Sequence, residues 1–321
     1  MDYWKEVPYF NSTYSFKWQP VSKGFRFEQL SYSQKQMINH FEGHAEITTK
    51  DALFRNMLGY AQGNKLNVFD YVPLTFVIDL DEDSHCPVYD KFTQCYNIFD
   101  AASKGLAKGD AYDAVLKQIN TKFQNITFSR DKRAMTNCKA KLHETFFAGK
   151  NLWILKPTGF NRGRGVSVFD SIEKLKSLIK EYAEGVPDEG QTIPGSDATS
   201  SKEVVNPDNN YGCISNLHNL PSVVKTKTFV VQKYLEKPML IQDRKFDIRC
   251  WILVTDDMKV YFFKEGYLRT SSSLFTMDSD AISKRDVHLT NNAVQKNCGD
   301  YGKFEDGNQM SFKQFQVKIA A

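Results

Sequence analysis

Several things this sequence lacks remove whole classes of protein from consideration. Its six cysteines, Cys86, Cys95, Cys138, Cys213, Cys250 and Cys298, are scattered and no two form a CxxC pair. That pattern suits reduced thiols in a cytosolic protein rather than a disulfide scaffold. No apolar run approaches the roughly 18 residues a membrane helix needs, so no membrane insertion is expected. The first residues, Met1-Asp2-Tyr3-Trp4-Lys5, carry no signal-peptide pattern. Internal repeats are absent. Neither a His-Arg-Asp nor an Asp-Phe-Gly pattern occurs, which argues against a kinase-like phosphotransferase. His40 and His44 have a spacing used by helical metal sites, but Gly43 stands between them and no third ligand is near, so no metal site is expected. No nucleic-acid partner is expected either.

What is present fits a globular chain of two or three domains: 321 residues, 41% hydrophobic and 25% charged. The net charge of +4 is unevenly spread. Residues 79–113 hold eight acidic and three basic side chains, whereas residues 121–165 hold ten basic and two acidic ones. A basic block of this kind can steer in an acidic partner, or be a solvated face plus phosphate ligands.

The stretch Asn151 to Gly165, NLWILKPTGFNRGRG, organises the rest. Leu152 to Leu155 form an apolar run that ends on Lys156 and is stopped by Pro157. Gly159, Arg162, Gly163, Arg164 and Gly165 follow. Glycine allows close backbone approach and positive φ, and arginine offers forked donors to phosphate. Val166 to Phe169 alternate and read as a second strand, so the loop is the tip of a hairpin and not a Walker loop, which would lead into a helix.

Elsewhere, Val21 to Leu30 is expected to hold a strand, and Met37, Ile38 and Phe41 a short helix. Thr48 or Thr49 caps a helix running from Lys50 to Tyr60. Val72 to Ile78 reads as a buried strand leading into the acidic run Asp79, Asp81, Glu82 and Asp83. Asp90 to Phe123 reads as mostly helical, Lys132 to Lys141 as a basic helix, and Asp170 to Ala183 as a helix opened by an Asp170–Glu173 capping box. Gly185 to Glu203 lacks periodicity and, with the segment on to Lys227, reads as a long mobile insertion.

The second half carries charge in unusual places. Phe229 to Leu235 is an apolar strand that turns polar, and its end offers backbone donors and acceptors to an adenine edge or is simply a core strand. In Arg244 to Arg249 a period of two puts Lys245, Asp247 and Arg249 on one face, continuing to Trp251. Such a face must be paired internally or bound to a ligand. Val260 to Lys264 is expected to return as a strand that brings Lys264 to the same site. His288-Leu-Thr-Asn291 adds a polar cluster.

Taken in order, these segments resemble the tubulin–tyrosine ligase-like family of ATP-grasp amino-acid ligases. The resemblance rests on Asn39-His-Phe, Ile47-Thr-Thr-Lys50, Val72-Pro-Leu-Thr75, Lys156-Pro157, Arg162-Gly-Arg-Gly165, Gln232-Lys-Tyr-Leu235, Arg244 to Arg249, Gly266-Tyr-Leu-Arg269 and His288-Leu-Thr-Asn291. It implies an α/β (α+β) fold of the ATP-grasp type: an N-terminal α/β domain (1–125), a central domain with the glycine-rich loop (126–228) and a C-terminal ATP-grasp lobe (229–321). It also implies ATP and magnesium, a free amino acid, and tubulin or another protein with an acidic tail as partner, in the cytoplasm, cytoskeleton or cilium. By resemblance, Lys156, Arg162 and Gly163 hold phosphates, Arg164 and Gly165 belong to the same cofactor-binding loop, and Gln232, Lys233, Tyr234 and Leu235 hold adenine. Lys245, Asp247, Thr290 and Asn291 line the nucleotide site, and Arg249, Lys264 and Arg269 are the catalytic cations, Arg269 facing the substrate carboxylate.

The sequence also departs from the family. Members carry, after the region matching Tyr301 to Phe315, a segment with an aspartate and a Glu-x-Asn strand that bind magnesium, and no such segment is found before Ala321. The expectations are therefore a ligase adding tyrosine, glycine or glutamate with an incomplete C-terminal lobe, or an inactive relative that binds nucleotide or tubulin. Asn292 leans towards the tyrosine-ligase and glycylase branches, since glutamylases tend to carry tyrosine there.

Overall fold

A computed structural model describes residues 5–8, 11–19, 22, 25–31, 33, 35–81, 87–123, 143–187 and 223–320. The basic stretch Lys132 to Lys141 and nearly all of the expected insertion lie outside the described residues. The chain mixes helix and sheet. It opens with two short parallel strands, β1 (Phe16–Lys17) and β2 (Met37–Ile38), so the apolar pair read as helical is a strand instead. Among the described residues from Val21 to Leu30, where a strand was expected, a 3-10 turn stands at Phe27–Gln29. Helices α1 (Ala45–Thr48) and α2 (Lys50–Gly63) follow. Thr49 is the residue before α2, but its hydroxyl donates back to the Ala45 carbonyl rather than capping the helix.

Next come β3 (Thr75–Asp79), α3 (Pro87–Ala107) and α4 (Tyr112–Phe123). The glycine loop joins β4 (Trp153–Pro157) to β5 (Ser167–Phe169) as an antiparallel hairpin, with Leu155 opposite Ser167. Helix α5 (Ile172–Glu184) is capped by Ser171, whose hydroxyl accepts from the Lys174 amide. The cap is thus Ser171 and not Asp170, because Ser171 is the residue with extended backbone ahead of the first turn. Strands β6 (Val186–Pro187) and β7 (Val223–Val224) pair with each other.

Strand β8 (Thr228–Lys233) completes the first main sheet, ordered β3-β8-β4-β5 and antiparallel throughout. Alternation along it decides the fold. Phe229, Val231, Trp153, Leu155, Phe76 and Ile78 face α3, α4 and α5 in the largest core cluster. Trp153 is fully buried there and meets Phe92 edge-on at 5.0 Å between ring centroids. Val77 and Val230 face the other way, onto α2 through Phe54 and Ala61. Ile154 and Val168 share that second direction and pack on Leu289.

The second main sheet has the order β14-β13-β10-β9. It comprises β9 (Leu240–Ile241), β10 (Arg244–Arg249), β13 (Tyr267–Leu274) and β14 (Gln309–Ser311). Between β10 and β13 the chain makes a separate exposed hairpin of β11 (Ile252–Val254) and β12 (Val260–Phe262), turned at Met258 with φ 60°. The short helices α6 (Arg285–His288) and α7 (Asn292–Gln295) return to β13, and α8 (Phe312–Ala320) packs Phe312 and Phe315 beside Leu268 and Met310. No helix among the described residues is long and apolar enough to cross a membrane.

Candidate functional site

Lys156 lies on β4 with its side chain on the face opposite the aromatic core. Its ammonium donates to Gln232 Oε1 at 2.7 Å, and Gln232 Nε2 donates to the Thr75 hydroxyl at 2.8 Å. Three adjacent strands thus hold one amine by a row of side chains. The loop after it is bent by left-handed backbone at Arg162 (φ 57°), Gly163 (φ 81°) and Gly165 (φ 67°). Its root is tied by Lys50 at the start of α2, which donates to the Pro157 and Phe160 carbonyls at 3.1 and 2.5 Å. Burial lowers the Lys50 amine, partly offset by Asp51. Burial, then repulsion by Lys50, pushes Lys156 down to about 8.

The opposing wall is the second sheet. Lys245 on β10 donates to the Tyr234 hydroxyl at 2.9 Å and to the His288 carbonyl at 3.1 Å. Burial, then the charge of Lys156, pushes Lys245 down to about 8 as well, with Asp247 opposing. Asp247 faces Arg269 across the ladder and takes both of its forks, Nε at 2.8 Å and Nη2 at 2.5 Å. The walls meet at the glycine loop: Arg285 donates to the Gly163 carbonyl at 2.7 Å, and a Cβ on Gly163 would stand 2.9 Å from Asn291 Oδ1. Amines from α2, β4 and β10 are therefore partly buried, and Lys156 is repelled by both Lys50 and Lys245. Such an arrangement favours a multiply charged anion.

The sequence profile described as the tubulin-tyrosine ligase family matches residues 28–320, nearly the whole chain. The chain belongs to the tubulin-tyrosine ligase family. Among curated relatives, it is 30% identical over 210 residues to Protein monoglycylase TTLL8 of Mus musculus, covering 62% of this chain and 20% of the relative. It is 33% identical over 168 residues to Tubulin glycylase 3B of Tetrahymena thermophila, covering 52% and 10%. It is 32% identical over 151 residues to Probable tubulin polyglutamylase TTLL9 of Bos taurus, covering 46% and 31%. The chain thus spans between 10% and 31% of the length of these three relatives.

In this member of the tubulin-tyrosine ligase family, several of the residues singled out from the sequence lie in contacting groups: Lys156 with Gln232, Lys245 with Tyr234, Asp247 with Arg269, and Gly163 close to Asn291. Thr290 is buried between His288 and Asn291, while Arg162 is exposed at the loop tip. Arg164 and Gly165 complete the loop, Arg164 lying 5.8 Å from the centroid of the Phe160 ring. Leu235, half-buried, follows Tyr234 past the end of β8. The Lys233 side chain points into the core, where Glu236 and the Leu152 carbonyl hold it at 2.6 and 2.7 Å, because alternation along β8 puts it on the face opposite Gln232. Lys264 is exposed beyond β12, and Trp251 lies between β10 and the separate hairpin with its ring centroid 5.5 Å from that of Tyr267, the ladder partner of Arg249. Arg249 ends β10 opposite Tyr267 and is exposed. Lys50 was missed as a site residue; it stands in the Ile47-Thr-Thr-Lys50 segment, where helix amphipathicity gives it no mark.

The family resemblance implies magnesium, which takes hard oxygen ligands. Asp247 is the carboxylate on the Lys245 face of β10, and both its oxygens are engaged by Arg269. Among the described residues no three His, Cys, Asp or Glu side chains lie together as metal ligands. These residues do not fit the ion.

Two outcomes follow from this geometry. Gly163→Ala is expected to lower stability by roughly 1 kcal/mol or more through positive-φ strain, read as the shift in a urea midpoint. It also forces the loop away from Asn291. The second concerns pH. A lysine whose folded pKa lies below its unfolded value opposes folding fully at pH values under the folded pKa, and that penalty fades as pH rises. With Lys156 and Lys245 near 8 against an ordinary 10.5, stability without ligand should rise between pH 8 and 10. Affinity for a polyphosphate should fall over the same window, since the neutral amines attract it less. Thermal melts with and without ATP across that range check both signs.

Proposed function

We propose that the cleft binds ATP and that the chain is an ATP-dependent carboxylate–amine ligase acting on tubulin, with glycine as the amino acid added. One observation supports this above the others: Lys156, held by Gln232, and Lys245, held by Tyr234 and the His288 carbonyl, are buried amines on the two sheets, and the neighbouring Asp247 carboxylate is already matched by Arg269. In this reading Lys156, Lys50, Lys245 and the loop from Arg162 to Gly165 hold the phosphates. The backbone from Gln232 to Leu235 takes the adenine edge, Thr290 and Asn291 close the nucleotide end, and Arg249 and Arg269 face the substrate carboxylate. A protein carboxylate attacks the γ-phosphorus as ADP leaves. The amino-acid amine then attacks the acyl phosphate, forms the amide bond, loses a proton and releases inorganic phosphate. The fixed cations lower the barrier by orienting the reactants and neutralising charge on the transferring phosphoryl group. The architecture proposed is ATP-grasp, with the N-terminal part at 1–125, the glycine loop at 126–228 and the second sheet at 229–321.

Glycine is supported by the printed names of the two glycylase relatives and, by the family resemblance, by asparagine at position 292. The test is incubation of the chain with ATP, tubulin and labelled glycine, glutamate or tyrosine in turn. Incorporation of glycine alone is the expected result, and no incorporation of any of them would overturn ligation by this chain. A second reading, nucleotide binding without turnover, is favoured by the poor fit to magnesium. It predicts ATP binding with no incorporation in the same assay.

A further inference from the structure

Lys245 is held by a chain of hydrogen bonds whose direction can be worked out atom by atom. His288 Nε2 lies 3.0 Å from the Ala281 carbonyl, which can only accept, so Nε2 carries the ring proton. Burial, then the charge of Lys245, pushes this histidine down to about 4, so the ring is neutral and Nδ1 is an acceptor. Nδ1 lies 2.8 Å from the Tyr234 hydroxyl, which therefore donates to it. The phenol oxygen then presents its lone pairs to Lys245 at 2.9 Å, and the ammonium also sits 4.5 Å above the Tyr234 ring. Tyr234 is buried, which keeps its phenol protonated by raising its pKa. Donation runs one way, from Lys245 through Tyr234 and His288 to Ala281, with no alternative tautomer that satisfies every atom.

An ammonium has three donors. Tyr234 and the His288 carbonyl take two of them. We propose that Tyr234 and His288 are positioning residues that fix Lys245 so that its third N–H is aimed into the cleft. This rests on the reading of the cleft as a nucleotide site, for which a freely rotating lysine would be a weaker phosphate ligand. Neither residue needs to touch phosphate to do this.

The test uses the whole chain and two independent readouts. One is the reactivity of Lys245 towards limiting acylating reagent without nucleotide, mapped by peptide mass spectrometry. The other is affinity for a non-hydrolysable ATP analogue by calorimetry. Tyr234→Phe keeps the ring and removes the bridging oxygen, His288→Ala removes the acceptor, and His288→Asn restores an acceptor near Nδ1. Loss of a hydrogen bond to a charged group predicts affinity weakened about tenfold in Tyr234→Phe and His288→Ala, with His288→Asn within about threefold of the parent. Lys245 labelling should rise in the first two variants and stay near the parent level in the third. If His288→Ala does not fold, Tyr234→Phe against His288→Asn carries the comparison. Unchanged Lys245 labelling in Tyr234→Phe overturns the relay whatever the analogue does. A parent chain that binds no analogue overturns the nucleotide reading, and the relay's role with it.

Discussion

Replacing Glu236 by alanine is expected to destabilise the fold by about 3–5 kcal/mol, the range for breaking a buried ion pair from one side. Glu236 and Lys233 have no exposed side-chain surface and lie 2.6 Å apart. The same carboxylate also accepts the amides of Ala148 at 2.6 Å, Lys150 at 3.2 Å and Leu152 at 2.8 Å. Alanine would leave three backbone donors without this acceptor and an ammonium without its counter-charge beside Phe99 and Trp153, with only the Leu152 carbonyl still accepting from it. Burial already lowers the Lys233 amine, and Glu236 opposes that shift. The double variant Lys233→Met with Glu236→Leu should recover part of the loss, because the buried charge goes with its partner. Urea unfolding measures both. A loss below about 1 kcal/mol for Glu236→Ala would contradict the burial that places this pair inside the fold.

Lys156→Met should separate binding from stability. In the proposed site the amine contacts phosphate, and losing a charged hydrogen bond corresponds to roughly tenfold to a hundredfold in affinity for an ATP analogue. Lys245→Met should act similarly. Stability without ligand should hold or rise, since each variant removes a desolvated charge that repels its neighbour. Ordinary core lysines such as Lys233 are expected to behave the opposite way. Calorimetry and urea unfolding on the same samples give both numbers. A variant that loses stability while keeping affinity would mark Lys156 as structural.

How much of this was legible in the sequence depended on whether one strand carried the signal. The hairpin around the glycine loop could be read because an apolar run, a proline and a β-branched alternation bracket it. The face of Lys245 and Asp247 followed from a period of two within β10. The period of two could not show where β10 ends: the chain breaks at Cys250 into a separate hairpin, and no local residue pattern announces it. Met37 and Ile38 are too short a run to tell helix from strand by periodicity. The Lys233–Glu236 pair looks like ordinary surface charge until β8 is seen to be covered on that face by α3 and α4. Lys50 needed the third dimension as well, because its partners are carbonyls more than a hundred residues away.

The central claim is that a nucleotide lies between the two sheets with its phosphates on Lys156 and Lys245. A biotinylated acyl phosphate of ATP, which transfers its tag to amines beside the terminal phosphate, tests this most directly when the tagged peptides are mapped. The expected result is tagging of Lys156 and Lys245 that excess ATP abolishes. Tagging confined to other lysines, or insensitive to ATP, would contradict it.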